Sequence, residues 1–366
     1  MIFLWICWPI FLFLVVHLEA QLAPNSYDDQ CDCGYHDPSS EPSTVWTNGW
    51  FMNFGNDLTV NNERTTLARA PTKTTISRLQ QDFFMAGYEI AAKYEDTYSR
   101  VFSMDNVKMT NDVLQLAVTV NHTSNNASVR CGAIGTKRQD ILYGTFRSQM
   151  RLTPINGTVQ AMYFYNPDGE IDIEILGAVD PPQAYFALHP GLQEPNGRAS
   201  ALTHDNHPLG FNPTTDLHDY RFDWYPDRSD FYIDQQLAHT LVTNVPHTPG
   251  RLMFSHWTDG NVKFSKGPPT EDAVMEIASF VALFNTSAGS AMACQRTQQA
   301  CSIQDVLNGE LPSATPSAIQ PSSTPEQQQQ QQQQSSSTSS SADTNKPGKS
   351  TLVATLFLIG CTVILL

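Results

Sequence analysis

The chain has 366 residues, with 21 Lys and Arg against 36 Asp and Glu for a net charge of −15, and carries 23 Pro and 7 Cys. So acidic a surface repels phosphate backbones and excludes a nucleic-acid partner, which needs a concentrated basic face. With 16% charged and 10% aromatic residues, the composition suits a secreted, strand-rich domain better than a coiled coil or helical bundle.

Residues 1–16 are an unbroken apolar run, followed by His17-Leu18-Glu19-Ala20 and a small-residue junction after Ala20. The pattern predicts a signal peptide over 1–20. No Lys or Arg precedes the run, yet it is shorter than the roughly 20 residues of a bilayer-spanning helix. Residues 21–304 are then expected to form one large all-β domain.

Five cysteines remain between the chain ends: Cys31, Cys33, Cys131, Cys294 and Cys301. In a secreted chain most should be bridged. Cys294 and Cys301 close a short loop and are the expected pair. Either Cys31 or Cys33 can reach Cys131, leaving one unpaired or paired with another molecule. No second Cys pair at ligand spacing and no neighbouring His couple supports a zinc site.

Strand-like stretches recur at 113–120, 144–152, 159–165, 171–176, 220–224, 231–234 and 251–255. Several alternate apolar and polar residues with period two, and a sandwich of two antiparallel sheets follows. Asn121, Asn126, Asn156 and Asn285 each head an acceptor triplet for N-glycosylation, whereas Asn212 is blocked by Pro213.

The chemistry concentrates in Glu170-Ile171-Asp172-Ile173-Glu174-Ile175. In a strand, the three isoleucines turn to the core and Glu170, Asp172 and Glu174 share the opposite face. Glu170 and Glu174 are roughly 13 Å apart at Cα on an ideal strand. Strand curvature and leaning side chains can bring the carboxyls toward the roughly 5 to 5.5 Å used by a retaining glycosidase. Crowding three acids disfavours full ionisation, so at least one keeps a proton near neutral pH, as a nucleophile paired with an acid requires. The competing readings are a solvated acidic face, which like-charge repulsion makes unfavourable, and a calcium site, which a regular strand wraps poorly.

Between Leu311 and Ser341 the composition collapses to Pro, Ser, Thr, Ala and Gln, with one Ile and one Glu and an unbroken glutamine run over 327–334. Such a segment buries too little to offset ordering entropy, so 305–341 is expected to be a disordered stalk. Ser339, Ser340, Ser341 and Ala342 precede a polar spacer at 343–350 and an apolar run at 351–366. That order matches a glycolipid-anchor signal over 342–366, with Ser340 as attachment point; a tail-anchored helix is the alternative.

Residues 170–174 resemble the active-site signature of glycoside hydrolase family 16, the clan of laminarinases, lichenases and cell-wall transglycosylases. The likeness continues through 143–147, 217–224, 231–234 and 244–260. The resemblance implies a concanavalin A-like jelly-roll sandwich with a concave substrate cleft, and activity on β-1,3- or mixed-linkage β-1,3-1,4-glucan. Glu170 would be the nucleophile, Asp172 its assisting carboxylate and Glu174 the acid/base; Trp257 would face a sugar ring, and Arg138 is a further candidate for substrate contact. Pro167-Asp168-Gly169 before the signature, the 185–189 stretch, Ser255 and Phe264 depart from lichenases, and no half-cystine near Phe102 answers Cys131. The reaction needs no cofactor; the resemblance leaves room for a structural calcium, without a clear ligand set. The expectation is a monomeric, cell-surface enzyme, held on the outer leaflet by lipid beside a fungal-type glucan wall. The alternatives are a cell-wall transglycosylase with the same site and a glycan-binding surface protein.

Overall fold

The computed structural model describes residues 31–308 except 41–43, 55–57, 61–62, 66–78, 111–112, 122–127, 178 and 290–298. The signal peptide, the Asn126 acceptor, Cys294, the expected stalk from residue 309 onward and the anchor signal with Ser340 lie outside the described residues.

Period-two alternation becomes two antiparallel sheets. The first runs Phe83–Met85, Ser128–Thr136, Arg251–Trp257, Val159–Asn166, Gly169–Leu176, Gln183–His189 and His204–Pro208, each hydrogen-bonded to the next. The second runs Val107–Met109, Leu114–Asn121, Ala273–Thr286, Ile141–Arg151, His218–Trp224, Ser229–Ile233 and Gln236–Leu241. Asn48–Asn53 joins the far half of Ala273–Thr286. The sheets meet at a corner, where Thr119–Asn121 pairs with Ser128–Arg130. This is the jelly-roll sandwich expected from the sequence.

Aromatic side chains from the two inner faces knit the sheets together. Phe164 meets Trp224 at 4.2 Å, Phe186 stacks on Phe231 at 4.6 Å and Phe254 meets Phe280 edge-on at 5.4 Å. Ile171, Ile173 and Ile175 sit in this layer.

The outside of the second sheet is covered rather than open. Tyr35, Trp46, Phe51, Ile303 and Val306 pack on Val281 and Leu283, so the chain near Tyr35 and the helix Ile303–Asn308 close over it. That helix straddles the boundary expected after residue 304, because its apolar side chains complete this layer. Tyr35–His36 pairs in parallel with Cys301–Ser302, and Cys31 is disulfide-bonded to Cys301. The Cys294–Cys301 pairing expected from loop length is therefore corrected: strand pairing brings Cys31 to Cys301. Cys33 is also in a disulfide, and Cys131 is a buried free thiol, so neither Cys31 nor Cys33 bridges to it.

Beneath this cover lies a buried ionic network. Arg221, wholly buried, binds Asp223 through Nε at 2.7 Å and Asp37 through Nη1 at 3.2 Å, while Arg147 reaches Asp37 and Asp219. Removing one partner of such a pair strands the other charge in a dry environment. Arg221→Met is expected to destabilise the fold by about 3–5 kcal/mol, read as a lower urea midpoint.

Candidate active site

Three β-branched isoleucines favour an extended backbone, and the turn at Pro167-Asp168 starts the strand Gly169–Leu176. The Asn166 side-chain Oδ1 accepts from the Asp168 N–H at 2.8 Å, and its Nδ2 donates to the Pro249 backbone carbonyl at 2.6 Å. This two-residue hairpin locks the register with Val159–Asn166. Tyr165 therefore stands opposite Glu170, Tyr163 opposite Asp172 and Ala161 opposite Glu174. On the other side the opposing residues are His189, Ala187 and Tyr185. One strand beyond Val159–Asn166, Arg251, Met253, Ser255 and Trp257 continue the same outer face.

All three acids project from this face, away from the isoleucine layer. Glu170 and Glu174 are half-buried and Asp172 is 5% exposed between them. Glu170 lines an open cavity of about 820 Å³ with Arg100, Tyr163, Tyr165, Arg251 and Met253. A smaller cavity of about 660 Å³, bounded by Gln160, Ile175 and Phe211, includes none of the three carboxylates.

Burial raises the pKa of every acid in the trio, but the other causes differ. Glu170 is raised by burial, against which a hydrogen bond from Asp172 and the Arg100 cation both act. Asp172 is raised well above the ordinary aspartate range by burial, by the flanking charges of Glu170 and Glu174, and by donating to Glu170. Glu174 is pushed up to about 8 by burial and the charge of Glu170, opposed by Arg100. The trio titrates as a set: the hydrogen bond from Asp172 and the Arg100 cation favour the charge on Glu170, and Glu174, pushed up to about 8, keeps its proton at neutral pH. His189 Nε2 lies 3.4 Å from Asp172 Oδ2. Burial, with His204 and Lys93 nearby, lowers the His189 pKa, so the ring meets Asp172 uncharged. Tyr163 is hydrogen-bonded to Ser255 beside the acids.

Trp257 lies on the acid-bearing face, with the Arg100 guanidinium carbon 4.7 Å from its ring centroid and Phe264 stacked at 6.2 Å. Phe264 leads on to Tyr185 at 6.2 Å, so the 185–189 stretch does supply an aromatic ring beside Glu174. Arg138 is not brought to the acids. It pairs with Asp140 at 2.6 Å and packs over Trp50 and Phe284, which belong to the core under the second sheet. Asn156 is exposed at a turn, Asn121 ends the strand Leu114–Asn121, and half-buried Asn285 accepts from the Thr47 N–H. Among the described residues no group of three or more His, Cys, Asp and Glu is placed to hold a metal ion.

Sequence reasoning passed over Tyr163, His189 and Arg100. Period-two counting along 159–165 would have put Tyr163 beside Asp172. Arg100 carries no pattern, because its position depends on the pairing of Arg100–Phe102 with Ser128–Thr136.

The profile described as Glycosyl hydrolases family 16 matches residues 94–275. The beta-glucanase of Bacillus amyloliquefaciens is 30% identical over 175 residues, which cover 46% of this chain and 68% of that protein. The beta-glucanase of Paenibacillus polymyxa is 32% identical over 164 residues, 43% of this chain and 64% of that protein. For that of Acetivibrio thermocellus, 35% identical over 121 residues, the match spans 31% of this chain and only 34% of the relative. The solved structure of the Bacillus licheniformis beta-glucanase aligns with a TM-score of 0.47 at 22% identity, over 65% of this chain and 98% of that one.

Proposed function

The chain belongs to glycosyl hydrolase family 16, and we propose that it is a retaining endo-β-glucanase acting on β-1,3- or mixed-linkage β-1,3-1,4-glucan. The observation that carries this reading is one strand presenting three carboxyls on one outer face, Asp172 buried between Glu170 and Glu174, with Glu170 lining an open cavity.

The chemistry follows from that arrangement. Ionised Glu170 attacks the anomeric carbon while protonated Glu174 gives its proton to the departing glycosidic oxygen. The bond to the leaving sugar breaks and a glycosyl ester to Glu170 forms. The Asp172 hydrogen bond keeps Glu170 ionised before attack and orients its free oxygen. Glu174, now a carboxylate, then takes a proton from water as the water displaces Glu170. If a sugar hydroxyl takes the place of water, the same steps transfer the chain instead of hydrolysing it.

The test is incubation with defined gluco-oligosaccharides and mass analysis of the products. Products shorter than the donor support hydrolysis and products longer than the donor support transfer. No conversion of any β-1,3- or mixed-linkage oligomer refutes the reading.

We also propose secretion and a glycolipid anchor at the cell surface, in contact with wall glucan. The support is the apolar run over 1–16, the acceptor triplets, and the small residues, spacer and apolar run over 339–366. Release of the protein from intact cells by a phosphatidylinositol-specific phospholipase is expected. Resistance to release, with the 351–366 peptide still attached, contradicts it.

A further inference from the structure

Arg100 begins the strand Arg100–Phe102, which pairs in parallel with Ser128–Thr136 and in antiparallel fashion with Glu89–Ile90. The Phe102 N–H donates to the Tyr88 carbonyl at 2.9 Å, and the Tyr88 and Phe102 rings pack at 5.2 Å, so the strand is braced on both sides. From it the half-buried Arg100 side chain reaches back over the sheet. Its guanidinium lies over the Trp257 indole, 4.7 Å from the centroid, and lines the same cavity as Glu170. A guanidinium seated on an aromatic face is held in place by cation–π attraction and stays charged.

We propose that Arg100 is a positioning residue for the glycosidase reaction, a cation fixed over Trp257 at the cavity of Glu170 whose field favours the charged form of the two glutamates. This rests on the roles proposed for the two glutamates. The need for it is electrostatic: the chain carries a net charge of −15, and three acids crowd one strand face. Arg100 acts on Glu170 and Glu174 through space, with a hydrogen bond to neither. Other groups around the site do not substitute for it: Lys93 acts on His189 and is no cause of the shifts at Glu170, Asp172 or Glu174. Asp172 gives Glu170 a hydrogen bond but no positive charge, and His189 is neutral. Tyr163, Tyr88 and the Cys131 thiol are raised by burial and remain protonated. Tyr165 stands opposite Glu170 and Tyr185 opposite Glu174, both phenols. Arg251, the other cation lining the cavity, packs over Phe84 and is no cause of the shifts at Glu170 or Glu174. A second consequence is steric. The Arg100 guanidinium covers part of the Trp257 ring, so a sugar approaching that indole meets the arginine as well.

The test uses Arg100→Met, Arg100→Gln and Arg100→Lys in the full secreted domain, with folding checked by circular dichroism. The side-chain carboxyls of 13C-glutamate-labelled protein are titrated by NMR, with Glu170 and Glu174 assigned by their Gln variants. In Arg100→Met and Arg100→Gln both glutamates are expected to titrate about 1 pH unit higher, and in Arg100→Lys near their wild-type positions. Both limbs of the kcat/KM profile should move upward with them. Unmoved carboxyl titrations in the neutral variants overturn the proposal, even if activity falls. Carboxyls that move while the pH–rate limbs stay in place leave the Arg100 field standing and refute the roles given to the glutamates. If neither neutral variant folds, wild-type titration positions in Arg100→Lys support the proposal and an upward shift like that expected of a neutral variant overturns it.

Discussion

Glu170→Gln is expected to lower turnover of β-glucan by about 10⁴-fold or more, with the melting temperature of the domain retained. The amide cannot form the glycosyl ester, and the loss should not depend on the leaving group. Glu174→Gln should behave differently. It removes a proton donor rather than a nucleophile, so turnover of glucan falls by about 10²–10⁴-fold. With an aryl glycoside whose phenol leaves without protonation, the first step should recover most of its rate and appear as a burst of released phenol. Equal losses on both substrates in Glu174→Gln contradict the acid role, and retained turnover in Glu170→Gln contradicts the nucleophile role.

The second large effect is on pH dependence. Glu174, pushed up to about 8, supplies its proton only below that pH, so kcat/KM should fall on an alkaline limb near pH 8. The acidic limb belongs to Glu170, which is raised by burial and should lose its charge above the usual carboxylate range as pH falls. Stability moves with the same groups. A carboxyl whose pKa is higher folded than unfolded favours the fold fully below its unfolded value, and loses that contribution as pH rises through its folded value. The melting temperature should therefore decline as pH increases from about 6.5, above which the buried neutral His256 no longer opposes the trend, to about 8. Glu174→Gln should flatten the decline and melt higher than wild type at pH 8, the opposite sign to its effect on activity. A melting temperature that rises across this interval counters the assignment of a buried, protonated Glu174.

How much of this was legible before any coordinates depended on which faces are covered. At Gly169–Leu176 one face meets the core and the other stays open, so isoleucine and acid alternate and the strand and its chemistry could both be read from spacing. Ala273–Thr286, the longest strand, gave no such signal. Its inner face meets the core and its outer face is sealed by residues around Tyr35 and Trp46, so the sequence runs nearly apolar throughout. Cysteine spacing favoured a short loop between Cys294 and Cys301. The parallel pairing of Tyr35 with Cys301 decides the Cys31 bridge, and spacing does not encode that contact. Arg138 looked suited to the cleft by its place before the Tyr143 strand, but the Asp140 carboxylate and the Trp50 ring hold it elsewhere. Arg100 went unnoticed for the converse reason, since it reaches the site through a sheet pairing that joins segments distant in sequence.

The retaining reaction passes through a covalent bond between the sugar and the Glu170 carboxyl. Treatment with a 2-deoxy-2-fluoro-glucosyl oligosaccharide bearing a good leaving group, followed by protease digestion and peptide mass mapping, reads that bond directly. One glycosyl adduct is expected on the peptide containing Glu170, absent from Glu170→Gln. An adduct on Glu174, or hydrolysis with inverted anomeric configuration and no adduct on either residue, contradicts it.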